Sequence, residues 1–143
     1  MKKARLTLAT LVLLVWSGVS LAQSGAFKVV VNGSNPVTSL SKDELSKLFM
    51  KKTSTWADGR KVVPVDLAEG SSARTGFSES VHGKSVQAVK AYWQQMIFSG
   101  RQVPPSEKAS PREVVAFVET NPGAVGYVPS GTEVGKCKVV EVR

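Results

Sequence analysis

A short segment in the middle of the chain carries the residues best suited to hold a ligand. Residues 61–65, KVVPV, have the composition of a strand, and Gly70, Ser71 and Ser72 follow where a helix is expected to begin. Such a turn presents backbone N–H groups, hydroxyls and the positive end of a helix dipole to one point. Arg74, in the first helical turn, can add a bidentate contact to an oxyanion. The segment therefore predicts a site for phosphate or a carboxylate.

A plainer interpretation of the same residues remains open. Ser71 or Ser72 would only cap the helix, which is the commoner role of serine at that position, and Arg74 would be solvated. The carboxylates of Asp66 and Glu69 precede the turn and would repel an anion. The two interpretations differ in whether the serine hydroxyls and the guanidinium are free to meet a ligand.

Among the aromatic residues, Tyr127 is a further candidate to line the site. It stands beside glycines in the segment GAVGYVP, residues 123–129, which predicts a strand, so we expect its ring to be relatively open. Trp93 lies on the apolar face of a predicted helix and is expected in the core. Trp56 is flanked by a group of basic residues, namely Lys51, Lys52, Arg60 and Lys61. This group forms either a positive patch or a solvated loop.

Nucleophilic and metal chemistry have little support in the composition. The chain has one cysteine and one histidine, so it cannot build a disulfide framework, a cysteine-rich zinc site or a Cys/His catalytic pair with a spare residue. We expect Cys137 to be buried as a small hydrophobic residue and His82 to act as a favourable charge or cap at a helix end. No metal, cofactor or enzymatic activity is therefore predicted.

The first 22 residues have the pattern of a secretory signal peptide. Three basic residues precede an apolar run of 17 residues, and Ser20 and Ala22 occupy the −3 and −1 positions of a cleavage site. We expect cleavage and export to the periplasm, so that the domain comprises residues 23–143. An uncleaved anchor that tethers the domain to the membrane is the alternative, although the run is marginal for spanning a bilayer.

The exported chain would carry a mild positive charge. Of the 19 basic residues, three precede the predicted cleavage site, which leaves 16 basic and 11 acidic residues, a net charge of about +5. An exported protein seldom meets nucleic acid, and the chain has no aromatic-basic recognition motif. We therefore expect no nucleic-acid binding and a preference for small anions or envelope surfaces.

The remaining segments predict one α/β domain, with a small mixed sheet flanked by helices. Strands are expected within residues 26–36, 61–65, 123–129 and 136–142, and helices are expected to begin at Ser41, Ser71 or Ser72, Ser85 and Ser110. Ser41 with Glu44, and Ser110 with Glu113, have the spacing of capping boxes. The helix after Ser85 is expected to bury one face, formed by Val86, Val89, Trp93, Met96 and Ile97. Residues 101–110 are expected to form a proline-interrupted loop.

Several motifs between residues 37 and 130 follow one another in a specific order. They are a helix ending at Phe49, a segment with Lys52 and Trp56, a strand, the Gly70–Ser71 loop, and PGAVGY at residues 122–127. This order resembles the second lobe of phosphate-type periplasmic binding proteins of ABC transporters. The chain is most similar to short, single-domain members of that superfamily. One departure is that the arginine found before the family's loop is absent here, where its place falls near Leu67.

The resemblance implies a single lobe of the type 2 periplasmic-binding-protein fold. It also implies binding of phosphate or another small oxyanion for an ABC-type phosphate uptake system, with a transporter permease or other envelope protein as partner. The candidate ligand-binding residues are Gly70, Ser71, Ser72, Arg74 and Tyr127. A single lobe supplies half of the hydrogen-bond cage, so high affinity would require a homodimer or a partner. The alternative is a protein-interaction module that uses the lobe without a soluble ligand.

Overall fold

A computed structural model describes residues 25–143, so the predicted signal peptide at residues 1–22 lies outside the described residues. Six strands form the sheet: β1 Phe27–Val31, β2 Ser39–Leu40, β3 Val63–Leu67, β4 Ser106–Lys108, β5 Ala124–Pro129 and β6 Lys138–Val142. The helices are α1 Lys42–Phe49, α2 Ser72–Phe77, α3 Val86–Phe98 and α4 Pro111–Thr120. A π-helical turn, Ser78–His82, continues α2.

The strands form one mixed sheet in the order β2-β6-β1-β5-β3-β4. The β-branched strand β1 lies inside the sheet, where it runs antiparallel to both β5 and β6, and Val29 pairs with Tyr127 on one side and Val140 on the other. Strand β3 runs parallel to β5 and β4. The predicted class, a small mixed sheet flanked by helices, is confirmed.

The helices begin where the serines predict. The hydroxyl of Ser41 accepts a hydrogen bond from the Glu44 backbone N–H at 3.1 Å, and the Glu44 carboxylate accepts one from the Ser41 N–H at 2.7 Å. This reciprocal pair satisfies two backbone donors that no helical carbonyl can reach. Ser85 and Ser110 cap α3 and α4 through their hydroxyls.

Two edge strands were not predicted, and both are short. Strand β2 has two residues, and the exposed, polar strand β4 lies within the expected loop at residues 101–110. Neither has the β-branched alternation by which a strand is recognised. Strand β4 pairs with β3 only from Val65 onward, so Pro64 pairs on one side alone. That arrangement suits a residue without a backbone N–H.

Aromatic rings from α1, α2, β1 and β5 pack together in the main core. The rings of Phe77 and Tyr127 stack with their centroids 3.9 Å apart, and Phe49 and Phe27 pack against Phe77 at 4.7 and 5.3 Å. All these residues lie within 25–143, so this segment contains its own core.

Helix α3 packs outside the main core, in a small cluster of its own. The cluster consists of Met50, Val89 and Trp93, with Tyr92 and Met96 packed against it. The expected burial of Trp93 is confirmed. The expected burial of the whole apolar face is wrong, since Ile97 is 52% exposed. Within the described residues, the side of the last turn of α3 that carries Ile97 and Phe98 is left uncovered.

Candidate anion site

The predicted loop lies at the carboxyl end of β3 and has an open outer surface. Gly70 has a φ of +89°, and a Cβ added there would meet no atom within 4 Å. Ser71 is the N-cap of α2, so the predicted helix start is confirmed, yet its side chain makes no capping hydrogen bond. Its backbone N–H donates to the Ala68 carbonyl at 3.3 Å, which closes the turn. We call residues 70–72 the exposed loop.

The chain's own backbone covers part of the helix that follows this loop. Gly25 lies so close to α2 that an added Cβ would come within 2.4 Å of the Ser72 carbonyl carbon, and a Cβ on Gly76 would come within 2.2 Å of the Gly25 oxygen. Ala73 is consequently fully buried. The part of this helix start that remains accessible is the exposed loop.

Arg74 lies behind the exposed loop and is 7% exposed. One guanidinium nitrogen donates to the Leu67 carbonyl at 2.6 Å and pairs with the Glu107 carboxylate at 2.5 Å. The guanidinium therefore joins α2 to the end of β3 and to the edge strand β4. The interpretation of Arg74 as a solvated side chain is wrong, and in this conformation the guanidinium is turned inward.

Tyr127 is fully buried, so the expectation of a relatively open ring is wrong. Its hydroxyl donates to Asp66 Oδ1 at 2.8 Å and accepts a hydrogen bond from the Leu67 N–H at 3.3 Å. The cause is its position in β5, where the ring stacks on Phe77 of the core. Tyr127 thus contacts the end of β3 from the core side, beneath the exposed loop.

The two carboxylates that precede the loop are not free to repel an anion. Burial raises the pKa of Asp66 to about 6, while the charge of Arg74 and the hydrogen bond from Tyr127 act in the opposite direction. Glu69 is exposed and pairs with Lys90 at 3.0 Å. Each carboxylate therefore faces a cation: Asp66 the buried guanidinium of Arg74, and Glu69 the exposed ammonium group of Lys90.

These contacts define what we call the buried polar network beneath the exposed loop: Asp66, Arg74 and Tyr127 are buried, and the half-exposed carboxylate of Glu107 closes the network at its edge. It fixes both backbone groups of Leu67, the last residue of β3. Glu107 could not be recognised from the sequence, because it lies in an exposed segment expected to be a loop. Gly70, Ser71 and Ser72 lie on the outside of the domain, whereas Arg74 and Tyr127 are turned inward, each toward a backbone group of Leu67.

The remaining reactive side chains of the described residues are held in structural contacts. His82 Nδ1 lies 2.8 Å from the Ser46 hydroxyl, and burial, together with the charges of Arg74 and Lys84, lowers the pKa of His82 to about 4. His82 is thus neutral at neutral pH, and the expected charge at a helix end is wrong. Cys137 is buried just before β6, and burial raises the pKa of its thiol to about 11.

Trp56 also has a structural contact rather than an open ring. Its indole N–H donates to the Gly123 carbonyl at 2.9 Å, and the side chain is buried. No three His, Cys, Asp or Glu side chains within residues 25–143 lie close enough to hold a metal ion. None of the helices in that part of the chain is long and apolar enough to cross a membrane.

The fold and the exposed loop define a lobe of a periplasmic-binding-protein type. A family model for PBP superfamily domains matches residues 20–140, and the chain belongs to that family. Among curated proteins, no relative matches.

Solved structures of the same fold come from phosphate-transport proteins. One is a phosphate ABC transporter substrate-binding protein of Clostridium perfringens with bound phosphate, with a TM-score of 0.66 and 20% identity over 82% of this chain. For an ABC-type phosphate transport receptor of Vibrio cholerae, the TM-score is 0.65 and the identity is 20% over 82% of this chain. For PstS of Borrelia burgdorferi, the TM-score is 0.64 and the identity is 14% over 83% of this chain. The chain spans 45%, 46% and 47% of these proteins.

Proposed function

We propose that this chain is an exported, non-catalytic receptor lobe that binds phosphate or another small oxyanion for an ABC-type uptake system. The observation that carries the proposal is the exposed loop, in which Gly70 opens toward solvent and the Ser71 hydroxyl is not used as a cap. A loop of this kind suits an anion because hydroxyl and backbone N–H donors converge near a positive helix end. The phosphate bound to the Clostridium relative supports the same ligand class.

In this proposal the five candidate residues have two different roles. Gly70, Ser71 and Ser72 contact the anion through backbone N–H groups and hydroxyls. Arg74 and Tyr127 act through the buried polar network, which holds Leu67 and so the start of the loop in place.

A single lobe leaves a bound anion partly solvated, so we expect weak affinity for the isolated domain. The second wall would come from another copy of the chain or from an envelope partner such as a transporter permease. Catalysis is not part of the proposal. Within residues 25–143 the only histidine is bonded to Ser46, and the only cysteine is buried with a raised pKa.

The test compares two glycines with nearly the same positive φ. Gly70 and Gly59 have φ values of +89° and +87°, and a Cβ added at either meets no atom within 4 Å. Alanine at either position should cost about 1 kcal/mol of folding free energy, because L side chains avoid this region. Only Gly70→Ala should also weaken phosphate binding, which calorimetric titration of residues 23–143 measures.

Two results would count against the site. Equal phosphate affinity of the two variants would place the anion elsewhere. No heat and no thermal shift with phosphate, sulfate or carboxylates would favour the alternative, a protein-interaction module without a soluble ligand.

A further inference from the structure

The end of α3 and the segment after it form a continuous exposed surface. Residues 97–104, IFSGRQVP, are all exposed, and Ile97, Phe98 and Val103 are exposed by 52%, 93% and 64%. The segment contains one cation, Arg101, and no acidic residue. Folded proteins rarely leave bulky apolar side chains this accessible in one short segment, so the surface indicates an apolar partner. We call residues 97–104 the apolar tip.

The apolar tip is held in place by its own hydrogen bonds. The helix closes at Gly100, whose N–H donates to the Ile97 carbonyl at 3.0 Å, and the Arg101 N–H donates to the Met96 carbonyl at 3.1 Å. The Gln102 side chain donates to the Lys51 carbonyl at 3.3 Å, which ties the tip to the end of α1. The exposed apolar side chains are therefore presented on a formed turn.

Uncompensated positive charge lies beside the tip. Lys51 adjoins the tip through the Gln102 hydrogen bond to its carbonyl, and burial, followed by the charge of Lys61, lowers the pKa of Lys51. The ion pairs formed within residues 25–143 include neither of these lysines, nor Arg101 of the tip. The tip therefore combines exposed apolar side chains with cations that have no carboxylate partner.

We propose that the apolar tip docks on the surface of an anionic lipid bilayer. Phe98, Ile97 and Val103 enter the boundary between headgroups and acyl chains, while Lys51, Lys61 and Arg101 meet the anionic headgroups. A protein partner fits less well, because a stable protein interface buries about 800 Å² on each side, which three side chains on a convex turn cannot supply. A few apolar side chains with adjacent cations suffice for reversible membrane docking.

Docking at the tip would leave the exposed loop accessible. The tip leads into β4, whose first residue Ser106 pairs with Val65 of the parallel strand β3, whereas the exposed loop comes after Leu67 at the other end of β3. The two features therefore lie toward opposite ends of this strand. The domain could therefore sit on a membrane while the loop faces the aqueous phase. This inference does not require that the loop bind an anion.

The first test is vesicle flotation of residues 23–143, the segment that contains the whole described core. The chain should float with mixed phosphatidylglycerol–phosphatidylcholine vesicles. Phe98→Ser should lower vesicle binding about tenfold, because it removes one buried aromatic ring. The matched control is Val139→Ser, which removes an apolar side chain that is 47% exposed on β6. Control binding should equal that of the unchanged chain.

The second test addresses the charges. The double variant Lys51→Gln, Lys61→Gln should lower binding to the anionic vesicles about fivefold for each charge removed. Added salt should also weaken binding, because it screens the remaining charges. Lys136→Gln, at an exposed position before β6, is the control and should change binding little.

The proposal is overturned if the unchanged chain fails to float with anionic vesicles, or if Phe98→Ser and Val139→Ser behave alike. It is also overturned if vesicles do not bind while Phe98→Ser abolishes a crosslink to one envelope protein, since the tip would then be a protein interface. Phosphate titration of Phe98→Ser separates this inference from the anion site, because the variant should bind phosphate as the unchanged chain does.

Discussion

Arg74 and Tyr127 approach the last residue of β3 from two different elements. Each bonds one backbone group of Leu67, and each is near the buried carboxylate of Asp66. Burying a charge costs free energy unless the charge is paired. We therefore expect this network to serve mainly to hold a particular geometry. Here it fixes the point at which the chain leaves the sheet for the exposed loop. Arg74 and Tyr127 thus set the position of the loop, although neither side chain reaches the loop surface.

Asp66 and His82 predict opposite pH dependences of stability. The pKa of Asp66 is raised from 3.8 to about 6, so the folded chain takes up this proton first and is favoured as the pH falls through 6. The pKa of His82 is lowered from 6.5 to about 4, so the unfolded chain takes up that proton first and the folded chain is disfavoured as the pH falls below 6.5. The two effects offset each other in the unchanged chain.

Single variants should expose each effect in thermal unfolding between about pH 5 and 7, with slopes up to about 1.4 kcal/mol per pH unit. His82→Gln leaves Asp66, so its melting temperature should rise as the pH falls. Asp66→Asn leaves His82, so its melting temperature should fall. If both variants follow the pH profile of the unchanged chain, these groups do not titrate as their burial indicates.

At the scale of elements, α2 depends on close backbone contact with the segment that enters β1. The backbones of Gly76 and Gly25 lie too close together for a side chain to fit between them. The π-helical turn continues α2 as far as Gly83, which has a left-handed conformation with a φ of +63°. This contact fixes the helix behind the exposed loop from the side opposite to the buried polar network. The loop therefore has a rigid support on both sides.

Gly76→Ala tests that contact, because helix propensity and packing predict opposite signs. Alanine favours a helix interior by up to about 1 kcal/mol over glycine. The added Cβ, however, would lie 2.2 Å from the Gly25 carbonyl oxygen, so we expect a loss of about 1–3 kcal/mol in the free energy of unfolding, measured with urea. Gly131→Ala is the control, since a Cβ there meets nothing within 4 Å. A more stable Gly76→Ala would disprove the contact.

Local signals predicted much of the fold. The cap at Ser41, the buried strand β1 and the order of motifs along the chain are encoded by neighbouring residues, and they were confirmed. Strand β4 and the partner Glu107 could not be predicted, because a polar edge segment forms a strand only when β3 is beside it. The inward orientation of Arg74 depends on its contact with Glu107, 33 residues away in sequence. That of Tyr127 depends on its contact with Asp66, 61 residues away.

At the scale of the whole molecule, the domain is one lobe with two exposed functional candidates. The exposed loop follows the carboxyl end of β3, and the apolar tip lies near its amino end. The solved relatives are about twice as long as this chain, which spans 45–47% of their length. Under the proposed function, an anion at the loop would be held more tightly once another surface covers it. The tip would bring such a lobe close to membrane proteins that could supply that surface.

A phosphate titration of isotope-labelled residues 23–143, followed by amide NMR, tests anion binding at the exposed loop most directly. Binding there should give saturable shifts centred on the amides of Gly70, Ser71 and Ser72, with smaller shifts in the first turn of α2, and no shifts at the apolar tip. Shifts centred instead on Lys51 and Lys61, or the absence of any shift at millimolar phosphate, would contradict it.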